Sequence, residues 1–199
     1  MSQRKPNVVI FGLALCISII ACNSNKEDNA SIVESLEPLV TETFNPVERG
    51  EYLVSTNGCH DCHSPKIFTE EGVKVDPDRE LSGHPSNEKL PPYDEETARG
   101  YVLFSAGLTS ATGPWGTSFA ANLTPDETGL GNWTEEQFLT CIKKGLLKGM
   151  EGSRPLLPPM PWEHYKNFTD EDLKSIFAYL QSRKPVSNIV PDPIPPKGK

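Results

Sequence analysis

Leu173, Ile176, Phe177 and Leu180 stand at i, i+3, i+4 and i+7, the spacing of one helix face. Thr169 precedes them as an N-cap, and Asp170, Glu171 and Asp172 fill the first turn, where the helix dipole favours acids. Arg183 and Lys184 close this helix and Pro185 stops it. A second helix opens on Thr134 with Gln137 three residues later, a capping box. Phe138, Cys141 or Ile142, and then Gly145 or Leu146 follow on one face. A third starts at Asn45, with Pro46 at the first helical position, where its missing N–H costs nothing. It runs through Val47, Gly50, Tyr52, Leu53 and Val54 to about Asn57. Residues 64–133 show few regular signals and are punctuated by Gly72, Pro77, Gly83, Pro85, Pro91, Pro92, Gly113, Pro114 and Gly116. So much loop in a compact domain needs a core from elsewhere, such as a bound cofactor. The pattern predicts an all-α domain over residues 46–184, with few helices and long loops.

The ends read differently. Arg4 and Lys5 precede an uncharged run over residues 8–21, too short to span a bilayer comfortably and suited to a signal peptide. The run ends in Ile19-Ile20-Ala21-Cys22, which resembles the bacterial lipobox. That resemblance implies removal of residues 1–21 and lipidation of Cys22, with Cys16 lost in the leader. It implies an exported, membrane-anchored lipoprotein facing the periplasm. Asn23 stands where an inner-membrane retention signal would have Asp, which points to the outer membrane. Residues 22–45 hold five acids against Lys26 and read as a flexible acidic tether. Residues 185–199 are rich in proline and read as an extended tail of polyproline character.

Composition narrows the function. The formal net charge is −8, so a nucleic-acid partner is not expected. Removing Arg4 and Lys5 with the leader leaves about −10. A single short apolar run excludes a polytopic membrane protein. Five cysteines in 199 residues are too sparse for a disulfide-stapled mini-domain.

The chemistry lies in Cys59-His60-Asp61-Cys62-His63, the Cys-x-x-Cys-His attachment sequence of c-type haem. Two thiols one helical turn apart can add to the two haem vinyl groups. His63 is then held beneath the ring, where its imidazole can bind iron. A thioredoxin-like pair would need a βαβ pattern, and a zinc site a second ligand pair; neither is visible. One covalent haem c and its iron are therefore expected. The sixth ligand is sought among Met150, Met160, His60, His84 and His164. His60 lies inside the attachment loop and cannot reach the opposite face. Met160 is expected, because Pro158, Pro159 and Pro161 stiffen a strap around it. Met150 reads as an adaptable filler, and His84 and His164 as surface or propionate-region residues.

These pieces in this order resemble a class I cytochrome c. Three further stretches resemble the haem domains in cytochrome subunits of membrane-bound alcohol and gluconate dehydrogenases. They are Arg49-Gly-Glu-Tyr-Leu-Val54, Asn122-Leu-Thr-Pro-Asp126, and Thr128-Gly-Leu-Gly-Asn-Trp133 running on to Phe138. The resemblance implies that the first and last helices cross near Gly50 and Tyr179, and that loops wrap the haem. Those subunits carry three such domains, whereas this chain has one attachment motif, which favours a stand-alone cytochrome. The expected function is one-electron transfer, not catalysis, through a His/Met haem. The alternatives are a cytochrome subunit of a larger dehydrogenase or oxidase, and a haem peroxidase or sensor with a displaceable sixth ligand. The acidity predicts redox donors and acceptors with basic docking surfaces, and residues 64–96, with nine acids against four bases, are the candidate docking face. Trp115, Trp133 and Trp162 are expected to pack, Arg154 to be a solvated loop charge, and Cys141 to be an inert core thiol. The Asn and Thr of three Asn-x-Thr triplets are expected in turns and caps.

Overall fold

The structure is a computed structural model that describes residues 44–196. The leader, Cys16, Cys22 and most of the acidic tether lie outside the described residues. Helix α1 spans Pro46–Thr56, and the Asn45 side chain accepts from Val47 and Glu48 N–H as its N-cap. The short helix α2, Cys59–His63, follows across Gly58 at φ +68°. Helix α4, Glu135–Lys144, carries the complete Thr134–Gln137 capping box, and α6, Asp170–Gln181, is capped by Thr169. Helix α6 ends at Gln181, three residues short of the expected Lys184. Gly145, expected on the face of α4, is instead its left-handed C-cap at φ +64°.

The expectation of an all-α domain is corrected by two small antiparallel sheets. Strands β1 (Lys66–Thr69) and β2 (Gly72–Val75) pair with Phe68 opposite Val73. Strands β3 (Leu103–Phe104), β4 (Ser110–Gly113) and β5 (Gly116–Phe119) form a sheet in that order. The short helix α3, Glu95–Gly100, lies between the two sheets in sequence. The strands escaped the pattern for a physical reason. None exceeds four residues, and β4 and β5 read Ser-Ala-Thr-Gly and Gly-Thr-Ser-Phe, without an apolar alternation. Polar side chains fill that small interior by bonding one another, as Thr112 Oγ1 and Thr117 Oγ1 do at 2.8 Å.

The helical core joins Leu53 and Val54 of α1, Phe138 and Ile142 of α4, and Leu173, Ile176, Tyr179 and Leu180 of α6, with Leu81 and Leu130 from the loops. Helices α1 and α6 cross at Gly50, where a Cβ would lie 2.0 Å from Ser175 O and 2.7 Å from Tyr179 Cβ. Only glycine lets the two backbones approach this closely. Residues 185–196 are extended and docked. Thr117 and Ile194 exchange backbone hydrogen bonds along the edge of β5 (2.8 and 3.0 Å), and Asn122 Nδ2 donates to Val186 O. Among the described residues no helix is long and apolar enough to cross a membrane.

Candidate haem-attachment site

The Cys59–His63 segment forms a single helical turn, so its two thiols project from one short element. Its terminal carbonyls are gathered by Lys66, whose ammonium donates to His60 O (3.2 Å), Asp61 O (3.0 Å) and Ser64 O. Tyr165 Oη donates to Asn57 O at 2.8 Å, tying the short helix α5 (Trp162–Tyr165) to the approach of the motif. Cys59 and Cys62 are free, half-buried thiols. Burial pushes the Cys59 thiol up to about 11 and raises Cys62 as well. A redox pair needs a stabilised thiolate, so these raised values weigh against thioredoxin-like chemistry. Among the described residues, no three His, Cys, Asp or Glu side chains gather into a metal cage.

The imidazole of His63 is oriented from behind. Its Nδ1 lies 2.7 Å from Ala121 O, and a carbonyl only accepts, so Nδ1 carries the proton. Nε2 is left with its lone pair free, the tautomer an iron ligand requires. Burial lowers the pKa of His63 and outweighs the opposing pull of the Ala121 carbonyl. The neutral, ligating form is therefore the one favoured. His60 turns away: its Nδ1 meets Ser64 Oγ at 3.2 Å and Glu80 at 3.5 Å.

Met160 is half-buried and packs on the core cluster that Cys59 also packs on. The strap that carries it is aligned by the end of α4. Leu156 N donates to Gly145 O (2.7 Å) and Leu147 N to Arg154 O (3.0 Å), and Ser118 Oγ holds Pro158 O. Met150 is 52% exposed on its loop, and His164 is exposed on α5. His84, expected at the surface or near a propionate, is not at the surface: it is 0% exposed. Its Nδ1 shares a hydrogen bond with Thr109 Oγ1 (2.9 Å), and its ring lies 4.7 Å from that of Phe119. Its burial was not legible, because its partners, Thr109 just before β4 and Phe119 at the end of β5, lie in a stretch that carries no apolar pattern. The Ala121 acceptor was missed too, since a backbone carbonyl leaves no mark on side-chain sequence.

Trp133 packs on the core, Trp162 lies against Gly145, and Trp115 lies over Gly113. Arg154 is exposed and donates to Pro155 O. Cys141 is buried at 6% exposure, and burial raises its thiol pKa. Asn122, Thr124, Thr134 and Thr169 serve turns and caps. Two thiols on one turn, an imidazole with Nδ1 spoken for and Nε2 free, and a thioether on a braced strap make a donor set that fits haem of the c type. A separate open polar groove of about 310 Å³ between residues 82–87 and 186–188 contains none of these groups.

No protein-family model matches the chain. It is 40% identical over 85 residues to the fructose dehydrogenase cytochrome subunit of Gluconobacter japonicus, covering 42% of this chain and 17% of that protein. It is 31% identical over 135 residues to the gluconate 2-dehydrogenase cytochrome c subunit of Pantoea cypripedii, covering 67% and 22%. It is 28% identical over 150 residues to the cytochrome c subunit of the quinone-type alcohol dehydrogenase of Gluconobacter oxydans, covering 73% and 24%. These matches bear out the resemblance read from the motifs. The chain spans about a fifth of the length of these curated relatives.

Proposed function

We propose that this chain is a c-type cytochrome that transfers single electrons and is not itself an enzyme. The observation that carries the reading is the Cys59–His63 turn with the His63 Nδ1 proton already given to Ala121 O at 2.7 Å. Cys59 and Cys62 would hold the haem covalently, since each thiol can add S–H across a vinyl group to give a thioether. His63 Nε2 and the Met160 sulfur would ligate the iron. A bound haem supplies exchange between ferrous and ferric iron, and a thioether ligand favours the ferrous side relative to a second histidine. The packed strap at Met160 keeps other ligands away and suits a carrier better than a peroxidase or sensor. With a formal charge of −8, the protein suits redox partners that present basic docking surfaces. The leader and Cys22 support export and a lipid anchor facing the periplasm, and Asn23 in place of Asp supports the outer membrane.

A second reading follows from the relatives' names, all cytochrome subunits of dehydrogenases. In it the chain serves as the cytochrome of a larger dehydrogenase complex. Affinity purification from the native membrane separates the two, because a stable dehydrogenase partner appears only in the second. The haem assignment is tested with the Cys59→Ala/Cys62→Ala double variant. The parent is expected to keep haem on a denaturing gel and the variant to lose it. Covalent haem surviving in the variant would overturn the assignment.

A further inference from the structure

Residues 81–84 run between the two segments that define the His63 imidazole. On one side Leu81 N donates to Ser64 Oγ (2.9 Å) and Gly83 N donates to His63 O (2.8 Å). On the other side Leu123 N donates to Leu81 O (2.8 Å) and His84 N donates to Ala120 O (2.9 Å). The residue that carries the proton and the peptide that receives it are thus joined through one four-residue bridge. The bridge is braced from outside by Asn188, whose Nδ2 donates to Ser82 O (2.7 Å) and His84 O (2.8 Å).

The backbone of this bridge is unusual. Leu81 is fully buried at φ +58°, a conformation that leucine rarely adopts. Gly83 has φ +78° and lies close against the Ala120–Ala121 peptide. A Cβ at Gly83 would fall 2.5 Å from Ala120 O and 2.7 Å from Ala121 O, the acceptor of the His63 proton. Both are backbone atoms, so a Cβ here is relieved only if the peptide itself shifts. Backbone held in a sparsely populated region, against a candidate ligand, is where function is to be sought.

We propose that Gly83 is a positioning residue for His63, acting through the Ala121 carbonyl. It rests on the haem reading above. By leaving room for that carbonyl, Gly83 keeps the Nδ1–H···O bond short. A short bond gives the imidazole more imidazolate character and makes Nε2 a stronger donor, which stabilises ferric iron. A side chain at 83 pushes the carbonyl off, weakens donation and raises the reduction potential.

The test compares the holoprotein with Gly83→Ala, Gly152→Ala and Ser64→Ala. Gly152 has φ +79°, matching Gly83, but a Cβ there meets nothing within 4 Å. It therefore carries the conformational strain without the crowding. Ser64→Ala adds no atom and removes the acceptor of Leu81 N. Two quantities are read: the reduction potential, and the exchange rate of the His63 Nδ1 proton by NMR of the ferric protein. Gly83→Ala is expected to shift the ferric–ferrous equilibrium toward ferrous by up to about tenfold, about 59 mV, and to speed proton exchange. Ser64→Ala is expected to move both in the same direction by less, and Gly152→Ala to leave both unchanged. Parental values in Gly83→Ala, or equal shifts in Gly152→Ala, overturn the proposal. If Gly83→Ala does not fold, Ser64→Ala decides: a shift in both readings supports the bridge and parental values refute it. Haem retained by the parent on a denaturing gel is checked first, so that failure of the haem reading is seen separately.

Discussion

Met160 and Met150 share a side chain but not an environment. Met160 is half-buried on the helical core, at the end of a strap pinned by Gly145, Leu147 and Ser118, whereas Met150 is 52% exposed. A ligand must be held in place to compete with water, so the braced methionine is the one expected on iron. The ferric parent is expected to show the weak far-red charge-transfer band of a sulfur–iron bond. Met160→Ala is expected to lose the band, lower the potential and bind cyanide readily, while Met150→Ala keeps the parental spectrum. A band that survives in Met160→Ala transfers the assignment to Met150. At this scale the motif residues were legible because the chemistry needs particular side chains at particular spacings. His84 was not, since a lone histidine among glycines and prolines looks the same buried or exposed. What decides its place is Thr109 and Phe119, 25 and 35 positions further along the chain.

The three longest helices were legible from their starts, because each carries its own signal in Asn45, Thr134 or Thr169; α2, α3 and α5, of four to six residues, are too short to show a helical period. The sheets were not, because strands of two to four residues are too short to show an alternation, even though β1–β2 and β4–β5 pair across two-residue turns. The crossing of α1 and α6 supplies a test in which two effects oppose. Alanine for glycine within a helix gains up to about 1 kcal/mol by propensity. At Gly50 the new methyl would sit 2.0 Å from Ser175 O, a backbone clash. Overpacking of this kind costs about 1–3 kcal/mol, and rigid backbone puts it at the upper end. Gly50→Ala is therefore expected to lose at least about 1 kcal/mol in a denaturation curve. Gly100→Ala, at the end of α3 with nothing within 4 Å, is expected to be neutral or stabilising. A stabilised Gly50→Ala would mean that the helices do not cross there.

For the molecule as a whole, stability is tied to acidity through its enclosed histidines. Burial lowers the pKa of His84 against a weak opposing pull from Glu88, and lowers that of His60 against Glu80. In the unfolded chain both take up protons near 6.5, whereas in the fold they do so only at lower pH. Below about pH 6.5 the unfolded chain therefore binds more protons and stability falls, by at most about 1.4 kcal/mol per pH unit for each histidine. Melting temperatures at pH 7 and pH 5 should differ less in His84→Gln than in the parent; an unchanged difference removes His84 from the account. The docked residues 185–196 carry a separate consequence. The outer edge of β5 is closed by Ile194, and Gly116 lies so close that a Cβ would meet Ile194 O at 2.1 Å. A chain trimmed back to Pro185 loses that cover and presents the bare amides of β5 as a template for a second trimmed copy. The last dozen described residues thus cover the open edge of β5, and a fusion placed there has to leave Ile194 its grip on Thr117.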